Sequence, residues 1–280
     1  MTPGEDSSGS FLLIRKPRKI GVMRLDLHGP DDHFGGFVKI AIVSDIHANF
    51  AALSAFPVKD YDQLWCLGDL VDYGPKPREV VRKVREKAAI VVRGNHDHAV
   101  GFDVDPQCSL PFKKLASETR QFTQGICTSR DVDYLKNLPI QQEVTVNATS
   151  FYLVHAIPTD PLFGYCPENS ERWEREIEWI RADVLVVGHT HTPFIRRIGN
   201  VTIVNPGSVG QPKTGRPLAC YAVWEDGEIS LREYRYPLID TIREIHNMPV
   251  SQETQDGLIA VLKTGVLPTR QYAKTAGIGS

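Results

Sequence analysis

The chain has 280 residues and a formal net charge of -2, with 41% hydrophobic and 24% charged residues. This composition is typical of a globular protein with a sizeable core. The near-balanced charge gives no indication of nucleic-acid binding or of attraction to an acidic membrane surface. No apolar run approaches the roughly 18 to 20 residues that a membrane span needs, so we expect no membrane partner.

The five cysteines are scattered, odd in number and never spaced as Cys-x-x-Cys. This pattern favours reduced thiols over a disulfide framework or a thiolate zinc site. The N-terminal apolar run 11–14 is too short for a secretory signal, and basic residues follow it rather than precede it. We therefore predict a cytoplasmic protein. Nothing in the sequence indicates an oligomeric state.

The chain is predicted to divide into four parts. Residues 1–36 combine a start rich in Gly, Ser and Thr with a basic patch and no sustained period, which indicates a disordered extension. Residues 37–238 are predicted to form the main domain, which would carry the catalytic site. Residues 239–265 would form helices packed on that domain, and 266–280 a flexible tail.

The first half of the main domain alternates buried strands with helices. The predicted strands are 38–43, 63–67 and 88–92, and the helices between them are 51–56 and 78–87. This order favours a parallel sheet with crossover helices. Two further helices are predicted at 112–127 and 131–137.

The second half is predicted to be mostly antiparallel. It contains a hairpin, a helix, a buried strand, and four more strands joined through hairpin turns at Gly199-Asn200 and Asp226-Gly227. In chain order these elements are 143–146, 151–154, 170–181, 184–187, 194–198, 201–204, 219–224 and 229–234. We expect an α/β fold in which two mixed sheets pack face to face with helices outside, a four-layer α/β/β/α sandwich.

Five polar clusters follow predicted strands. They are Ser44-Asp45-Ile46-His47, Gly68-Asp69, Gly94-Asn95-His96-Asp97, His155 and Gly188-His189-Thr190-His191. Open α/β sheets bind their ligands at the carboxyl ends of strands, where these clusters lie. Each cluster alone has an ordinary explanation, such as a helix cap for Asp45 or a turn for Asn95. All five ordinary explanations would have to hold together, so we interpret the clusters as one site.

The side chains in these clusters suit divalent metals. Carboxylate, imidazole and amide oxygen ligands favour Mn, Fe, Zn or Co over a thiophilic ion. Asp69 has two carboxylate oxygens and could bridge two ions. Two metals roughly 3.5 to 4 Å apart can clamp a phosphoryl group and hold a bridging hydroxide as nucleophile. The clusters therefore predict hydrolysis of a phosphate ester.

The order Asp-x-His, Gly-Asp, Gly-Asn-His-Asp, His, Gly-His-x-His resembles the calcineurin-like metallophosphoesterase superfamily over about residues 38–235. The segment 205–212 (Asn-Pro-Gly-Ser-Val-Gly-Gln-Pro) is similar to its small prokaryotic branch, often described as phosphodiesterases. The resemblance implies two bound divalent ions. Mn²⁺ is the main expectation for both, and Fe, Zn, Co or Ni are alternatives.

The resemblance also implies a role for each matching residue. The first metal would be bound by Asp45, His47 and His191, the second by Asn95, His155 and His189, and both by Asp69. His96 would donate a proton to the leaving-group oxygen, and Asp97 would hold the His96 ring.

Two differences from known motifs exclude or disfavour particular activities. Tyr73 stands where the protein phosphatases of this superfamily carry a phosphate-gripping Arg, and Ala48 replaces a Gly, which disfavours a phosphoprotein substrate. The segment 207–214 nearly matches a P-loop, but Pro212 replaces the second required Gly and lacks an N–H, which excludes an ATPase.

Three functions remain open. The first is hydrolysis of a phosphodiester, with monoesters as further substrates, in a small molecule or nucleotide. The second is a dinucleoside polyphosphate hydrolase. The third is an inactive scaffold with this fold, which the complete set of ligands and the presence of His96 disfavour. The aromatic residues Tyr73, Phe163 and Tyr165 could line a substrate pocket or simply pack.

Overall fold

The computed structural model describes residues 38–268, which form two five-stranded mixed sheets packed face to face. Helices cover the outer faces, so the predicted four-layer α/β/β/α sandwich is confirmed. The expected N-terminal extension, 1–36, lies outside the described residues, as does the expected tail from 269 onward. Within the described part of the chain, no helix is both long and apolar enough to span a bilayer.

The first sheet joins the beginning of the described chain to its end. Its strand order is β10-β9-β1-β2-β3, in which β1, β2 and β3 run parallel and β9 and β10 antiparallel. The strands are β1 (Lys39–Val43), β2 (Gln63–Cys66), β3 (Ile90–Val91), β9 (Ala219–Glu225) and β10 (Glu228–Tyr234). The C-terminal hairpin thus completes the parallel sheet that the first half begins.

The second sheet has the strand order β4-β5-β6-β8-β7. Its strands are β4 (Gln141–Val146), β5 (Thr149–Val154), β6 (Val184–Val186), β7 (Phe194–Ile198) and β8 (Val201–Asn205). The prediction of a mostly antiparallel second half is wrong for the centre of this sheet, where β5, β6 and β8 are parallel. The segment between β5 and β6 contains a helix and crosses over, which brings β6 in parallel to β5.

The described residues also form eight α-helices and a 3-10 turn at Val58–Asp60, and the last two helices follow the last strand. The helices are α1 (Phe50–Ala55), α2 (Pro77–Lys87), α3 (Asn95–Phe102), α4 (Leu110–Ile126), α5 (Ser129–Asn137), α6 (Arg172–Ile177), α7 (Leu238–Ile245) and α8 (Gln252–Thr264). Helix α3 was not predicted, because its eight residues lack a helical apolar period. Helix α6 is shorter than the predicted 170–181.

Alternation along β1 shows how the strands build two hydrophobic layers. Ile40 and Ile42 point into the core between the sheets, whereas Ala41 and Val43 point into the layer under the helices. Because both faces are buried, the strand reads as a continuous apolar run. Because β1 is packed on both faces, the residues that directly follow it are held in fixed positions.

Helices α7 and α8 pack against the domain next to the site. Ile242 and Leu258 lie in one hydrophobic cluster with Leu115 of α4 and with Tyr73, which follows β2. The C-terminal helices therefore cover one flank of the loops that carry the polar clusters.

Candidate metal centre and active site

The five polar clusters meet at one end of the two sheets. Each lies just beyond the carboxyl end of a strand, namely β1, β2 and β3 in the first sheet and β5 and β6 in the second. Six of the candidate ligands are buried and His189 is half-buried. The fold thus brings together all seven, which are Asp45, His47, Asp69, Asn95, His155, His189 and His191.

The backbone at this end adopts an uncommon conformation. Five candidate ligands have a left-handed backbone, with φ of 52° at Asp45, 46° at His47, 54° at Asp69, 65° at His189 and 60° at His191. A positive φ costs a non-glycine residue of order 1–3 kcal/mol and clusters at functional sites. The rest of the fold must therefore hold these side chains in place against a local preference.

The first ligand group consists of Asp45, His47, Asp69 and His191, whose ligand atoms all lie within 4.8 Å of one another. The Nε2 atom of His191 is 3.2 Å from Nε2 of His47 and 3.2 Å from Oδ1 of Asp45. Oδ2 of Asp69 is 3.6 Å from Nε2 of His47. Four ligand atoms this close together could hold one metal ion.

The second ligand group consists of Asp69, Asn95, His155 and His189. The ligand atoms of Asp69 and the two histidines lie within 4.8 Å of one another. Oδ1 of Asn95 is 3.0 Å from Nε2 of His155 and 3.1 Å from Nδ1 of His189, and Oδ2 of Asp69 is 3.4 Å from Nε2 of His155. Asp69 therefore belongs to both groups.

Backbone carbonyls orient three of the four imidazoles. In each ring Nδ1 donates to a carbonyl oxygen, which directs Nε2 at the ligand group. The pairs are His47 with Val71 at 3.0 Å, His155 with Leu67 at 2.7 Å, and His191 with Gln211 at 2.6 Å. These partners could not be predicted from the sequence, because any residue can supply a backbone carbonyl.

The remaining oxygen ligands are oriented in the same way. Nδ2 of Asn95 donates to the carbonyl of Pro106 at 2.7 Å, so its Oδ1 turns to the second ligand group. Asp69 uses Oδ1 to accept from the His96 amide at 2.9 Å, and Asp45 uses Oδ2 to accept from the His189 amide at 3.1 Å. The second oxygen of each carboxylate is thereby free for the ligand group.

Burial controls the charge of the site. It lowers the pKa of His47 and of His189 to about 3, so both imidazoles are neutral, the form that binds metal. It raises the pKa of Asp45 to about 6. Burial also disfavours a charged His155, but the Asp69 carboxylate outweighs it and raises that pKa to about 9. The Asp69 carboxylate therefore favours the protonated, positively charged form of His155.

The donor atoms fit divalent cations. Nε2 of His47, Nε2 of His191 and Oδ1 of Asp45 face one another with lone pairs, and Oδ1 of Asp45 has no hydrogen-bond partner among residues 38–268. Without a cation these acceptors repel one another, and burying a carboxylate oxygen without a partner is costly. A mixed oxygen and nitrogen set of this kind suits borderline divalent metals.

His96 lies beside the ligand groups and is held by a residue that was not predicted. Its Nδ1 is 2.8 Å from Oδ2 of Asp72, and its Nε2 is 3.2 Å from Sγ of Cys108. Burial alone would lower the pKa of His96, but Cys108, Asp69 and Asp72 raise it well above its ordinary value. Asp72 therefore orients the ring, and Cys108, Asp69 and Asp72 together favour its charged form.

The expected contact between Asp97 and the His96 ring is wrong. The Asp97 carboxylate accepts from three backbone amides, those of Asp69 at 2.8 Å, Leu70 at 2.8 Å and Gly94 at 3.0 Å. Because α3 begins at Asn95, Asp97 lies in its first turn and caps the helix instead. The segment Gly68-Asp-Leu-Val-Asp72 contained the actual partner of His96, but its spacing alone did not distinguish the two aspartates.

Asp97→Ala is expected to lower the free energy of unfolding by at least about 3 kcal/mol. Three buried amides lose their acceptor, and each unsatisfied donor costs roughly 1–3 kcal/mol. Urea denaturation measures the loss. Asp62→Ala is the matched control, because within residues 38–268 the exposed Asp62 side chain accepts from a single amide, that of Lys39. An equal loss in the two variants would contradict the capping role of Asp97.

A cleft of about 270 Å³ opens over the two ligand groups. Asp69, Asn95 and His96 line it together with Phe163 and Tyr165, so these two aromatic residues belong to the pocket. Tyr73 also borders the cleft but is buried, with its ring 4.8 Å from those of both His47 and His96. Lys213, to which the sequence assigned no role, also lines the cleft.

Comparison with known proteins identifies the family. The profile of the calcineurin-like phosphoesterase superfamily domain matches residues 38–226. The chain belongs to this superfamily. The resemblance seen in the five polar clusters is thereby confirmed, and the chain is a metal-dependent phosphoesterase rather than an inactive scaffold.

Three relatives illustrate the relationship. The structure of a metallophosphoesterase from Sphaerobacter thermophilus is 29% identical, has a TM-score of 0.69 and aligns with 82% of this chain and 100% of its own. Phosphodiesterase YfcE of Escherichia coli is 28% identical over 211 residues, which is 69% of this chain and 91% of YfcE. The symmetrical bis(5'-nucleosyl)-tetraphosphatase of Aliivibrio salmonicida is 54% identical over 41 residues, only 14% of this chain and 15% of its own.

Proposed function

We propose that this protein is a phosphodiesterase that acts on small-molecule or nucleotide esters through two divalent cations. The observation that carries the proposal is the position of Asp69. Asp69 belongs to both ligand groups, with its Oδ2 near a histidine of each, and it lines the cleft that His96 also lines. A phosphate in this cleft would contact both groups and the proton donor at once.

The seven candidate ligands would divide between two ions. Asp45, His47 and His191 would hold one, Asn95, His155 and His189 the other, and Asp69 both. Mn²⁺ is the first expectation for this oxygen and nitrogen set, and Fe, Zn, Co or Ni are alternatives. When bound, two such ions polarise a phosphoryl group and make a water more acidic.

The protein's own residues supply the proton for the leaving group. His96 lines the cleft, its Nδ1 is fixed by Asp72 at 2.8 Å, and its Nε2 lies 3.2 Å from Sγ of Cys108, which also lines the cleft. A protonated His96 would donate from Nε2 to the ester oxygen as the P–O bond breaks. Asp72 acts as a positioning residue, since it holds the ring and favours its charged form.

Two observations support a diester of a small molecule. YfcE, which aligns with most of this chain, is named a phosphodiesterase. Tyr73 is buried at the position where the protein phosphatases of the superfamily carry an Arg, so the cleft has no arginine there to bind the phosphate of a phosphoprotein. The second candidate, dinucleoside polyphosphate hydrolysis, is favoured only by the short match to the tetraphosphatase.

All five cysteines are free, which supports a reducing, cytoplasmic location.

A metal-reconstituted screen tests this function. The protein is stripped with a chelator, reloaded with Mn²⁺, and assayed on bis(p-nitrophenyl) phosphate, p-nitrophenyl phosphate, cyclic nucleotides and diadenosine tetraphosphate. We expect turnover of diesters that requires metal and returns on reloading. A protein that holds two metals per chain and hydrolyses no diester would contradict the proposal. Strong preference for the tetraphosphate would favour the second candidate.

A further inference from the structure

Lys213 is a cation attached to the same loop that orients the first ligand group. It lies two residues after Gln211, whose carbonyl accepts from Nδ1 of His191 at 2.6 Å, and its own amide donates to the carbonyl of His191 at 3.4 Å. These two contacts fix the backbone of Lys213 beside the metal centre. Its side chain lines the cleft together with Asp69 and His96.

The ammonium of Lys213 has no carboxylate partner. Its Nζ lies 4.5 Å from the centroid of the Phe112 ring, an attractive but weak contact, and no described acidic residue comes within salt-bridge distance. Other described lysines do pair with acidic groups, among them Lys39 with Glu225, Lys76 with Glu244 and Lys113 with Asp105. Burial lowers the pKa of Lys213, and the more distant Asp45 and Asp69 carboxylates and Cys108 oppose that shift only in part.

An unpaired cation in a buried cleft is positioned to receive an anion. Phe112 packs against the ammonium, and both residues line the cleft that opens over the two ligand groups. A phosphate oxygen that entered there would replace the missing carboxylate and form a charge-assisted hydrogen bond. Lys213 lies in the loop after β8. In the protein phosphatases of the superfamily, the phosphate-binding Arg lies instead in the loop after β2, at the position of Tyr73.

We propose that Lys213 binds a non-bridging oxygen of the substrate phosphate and sets the balance between dianionic monoesters and monoanionic diesters. The proposal rests on the proposed function and extends it to substrate charge. A monoester carries one more negative charge than a diester, so it depends more strongly on a cation in the cleft. Lys213 is therefore a specificity-determining residue, and its charge is the property that matters.

Lys213→Gln is expected to weaken the use of monoesters most. We expect kcat/KM for p-nitrophenyl phosphate to fall roughly 10- to 100-fold, mainly through a higher KM, the range for losing a hydrogen bond to a charged group. The fall for bis(p-nitrophenyl) phosphate should be several-fold smaller. Lys213→Arg should recover most of the difference. The matched control is Lys113→Gln, an exposed lysine next to Phe112 that pairs with Asp105 and does not line the cleft.

A binding measurement separates this inference from the proposed function. Inorganic phosphate is titrated calorimetrically into the Mn²⁺-loaded wild type and variants, each checked by elemental analysis to hold two metals. Affinity at least tenfold weaker in Lys213→Gln, recovered in Lys213→Arg and unchanged in Lys113→Gln, would support the role. Equal phosphate affinity in wild type and Lys213→Gln would overturn it, whether or not the wild type hydrolyses esters. Failure of the wild type to hydrolyse any diester would count against the proposed function alone.

Discussion

Asp69→Asn is expected to remove both metals together and to reduce ester hydrolysis roughly 1,000-fold, because two-metal sites supply several kcal/mol of transition-state stabilisation. Asp69 is common to both ligand groups, and its Oδ2 lies 3.6 Å from Nε2 of His47 and 3.4 Å from Nε2 of His155. An amide nitrogen at the position of Oδ2 cannot ligate a cation. Elemental analysis of the reloaded variant measures the metal stoichiometry directly.

The asparagine substitution keeps the other contacts of Asp69. Its oxygen can still accept from the His96 amide, and asparagine tolerates the left-handed backbone at φ 54°. Asp226→Asn is the matched control, because this exposed hairpin residue also has a positive φ, 49°, and is far in the chain from every ligand. Two metals per chain in Asp69→Asn would show that Asp69 does not bridge.

His96→Ala is expected to lower turnover of an ester with a poor leaving group, such as an alkyl diester, by about 100-fold or more, the usual range for loss of a general acid. His96 lines the cleft but belongs to neither ligand group, so both metals should remain. The loss should shrink for p-nitrophenyl esters, whose leaving group needs no proton. Steady-state rates on a series of leaving groups measure this dependence.

The control for this variant lies on the same helix. His98→Ala removes an imidazole two residues further along α3 that contacts Phe102 and does not line the cleft. It should leave the leaving-group dependence unchanged. If His96→Ala lost the same factor on all leaving groups, or lost its metals, His96 would be a structural residue rather than the proton donor.

Asp72→Asn should show a weaker form of the His96 effect, because it loosens the ring without removing it.

Local patterns were sufficient for most of the elements and for the family. The apolar runs of β1 and β5 and the turn at Asp226-Gly227 each have a local cause, so their positions were predicted to within a few residues. The parallel centre of the second sheet was not predicted, because strand direction depends on a crossover of about 30 residues between β5 and β6 rather than on the strands themselves.

The candidate ligands could be named from the sequence because each follows a strand, and strand ends converge in an α/β fold. The partners of those ligands could not be named in this way. Asp72 and Asp97 are both buried carboxylates near His96 in the chain, and only the start of α3 at Asn95 directs Asp97 to backbone amides and leaves Asp72 for the ring.

The sequence by itself determined the types of side chain at the site, their order and the strands that deliver them, since these follow from residue identity and short-range periodicity. Only the tertiary structure decided which nitrogen of each imidazole faces the ligand groups, which carboxylate orients His96, and that Lys213 enters the cleft unpaired. These contacts join loops far apart in the chain, such as His191 with His47. Their geometry depends on left-handed backbone turns and carbonyl partners that no local residue preference specifies.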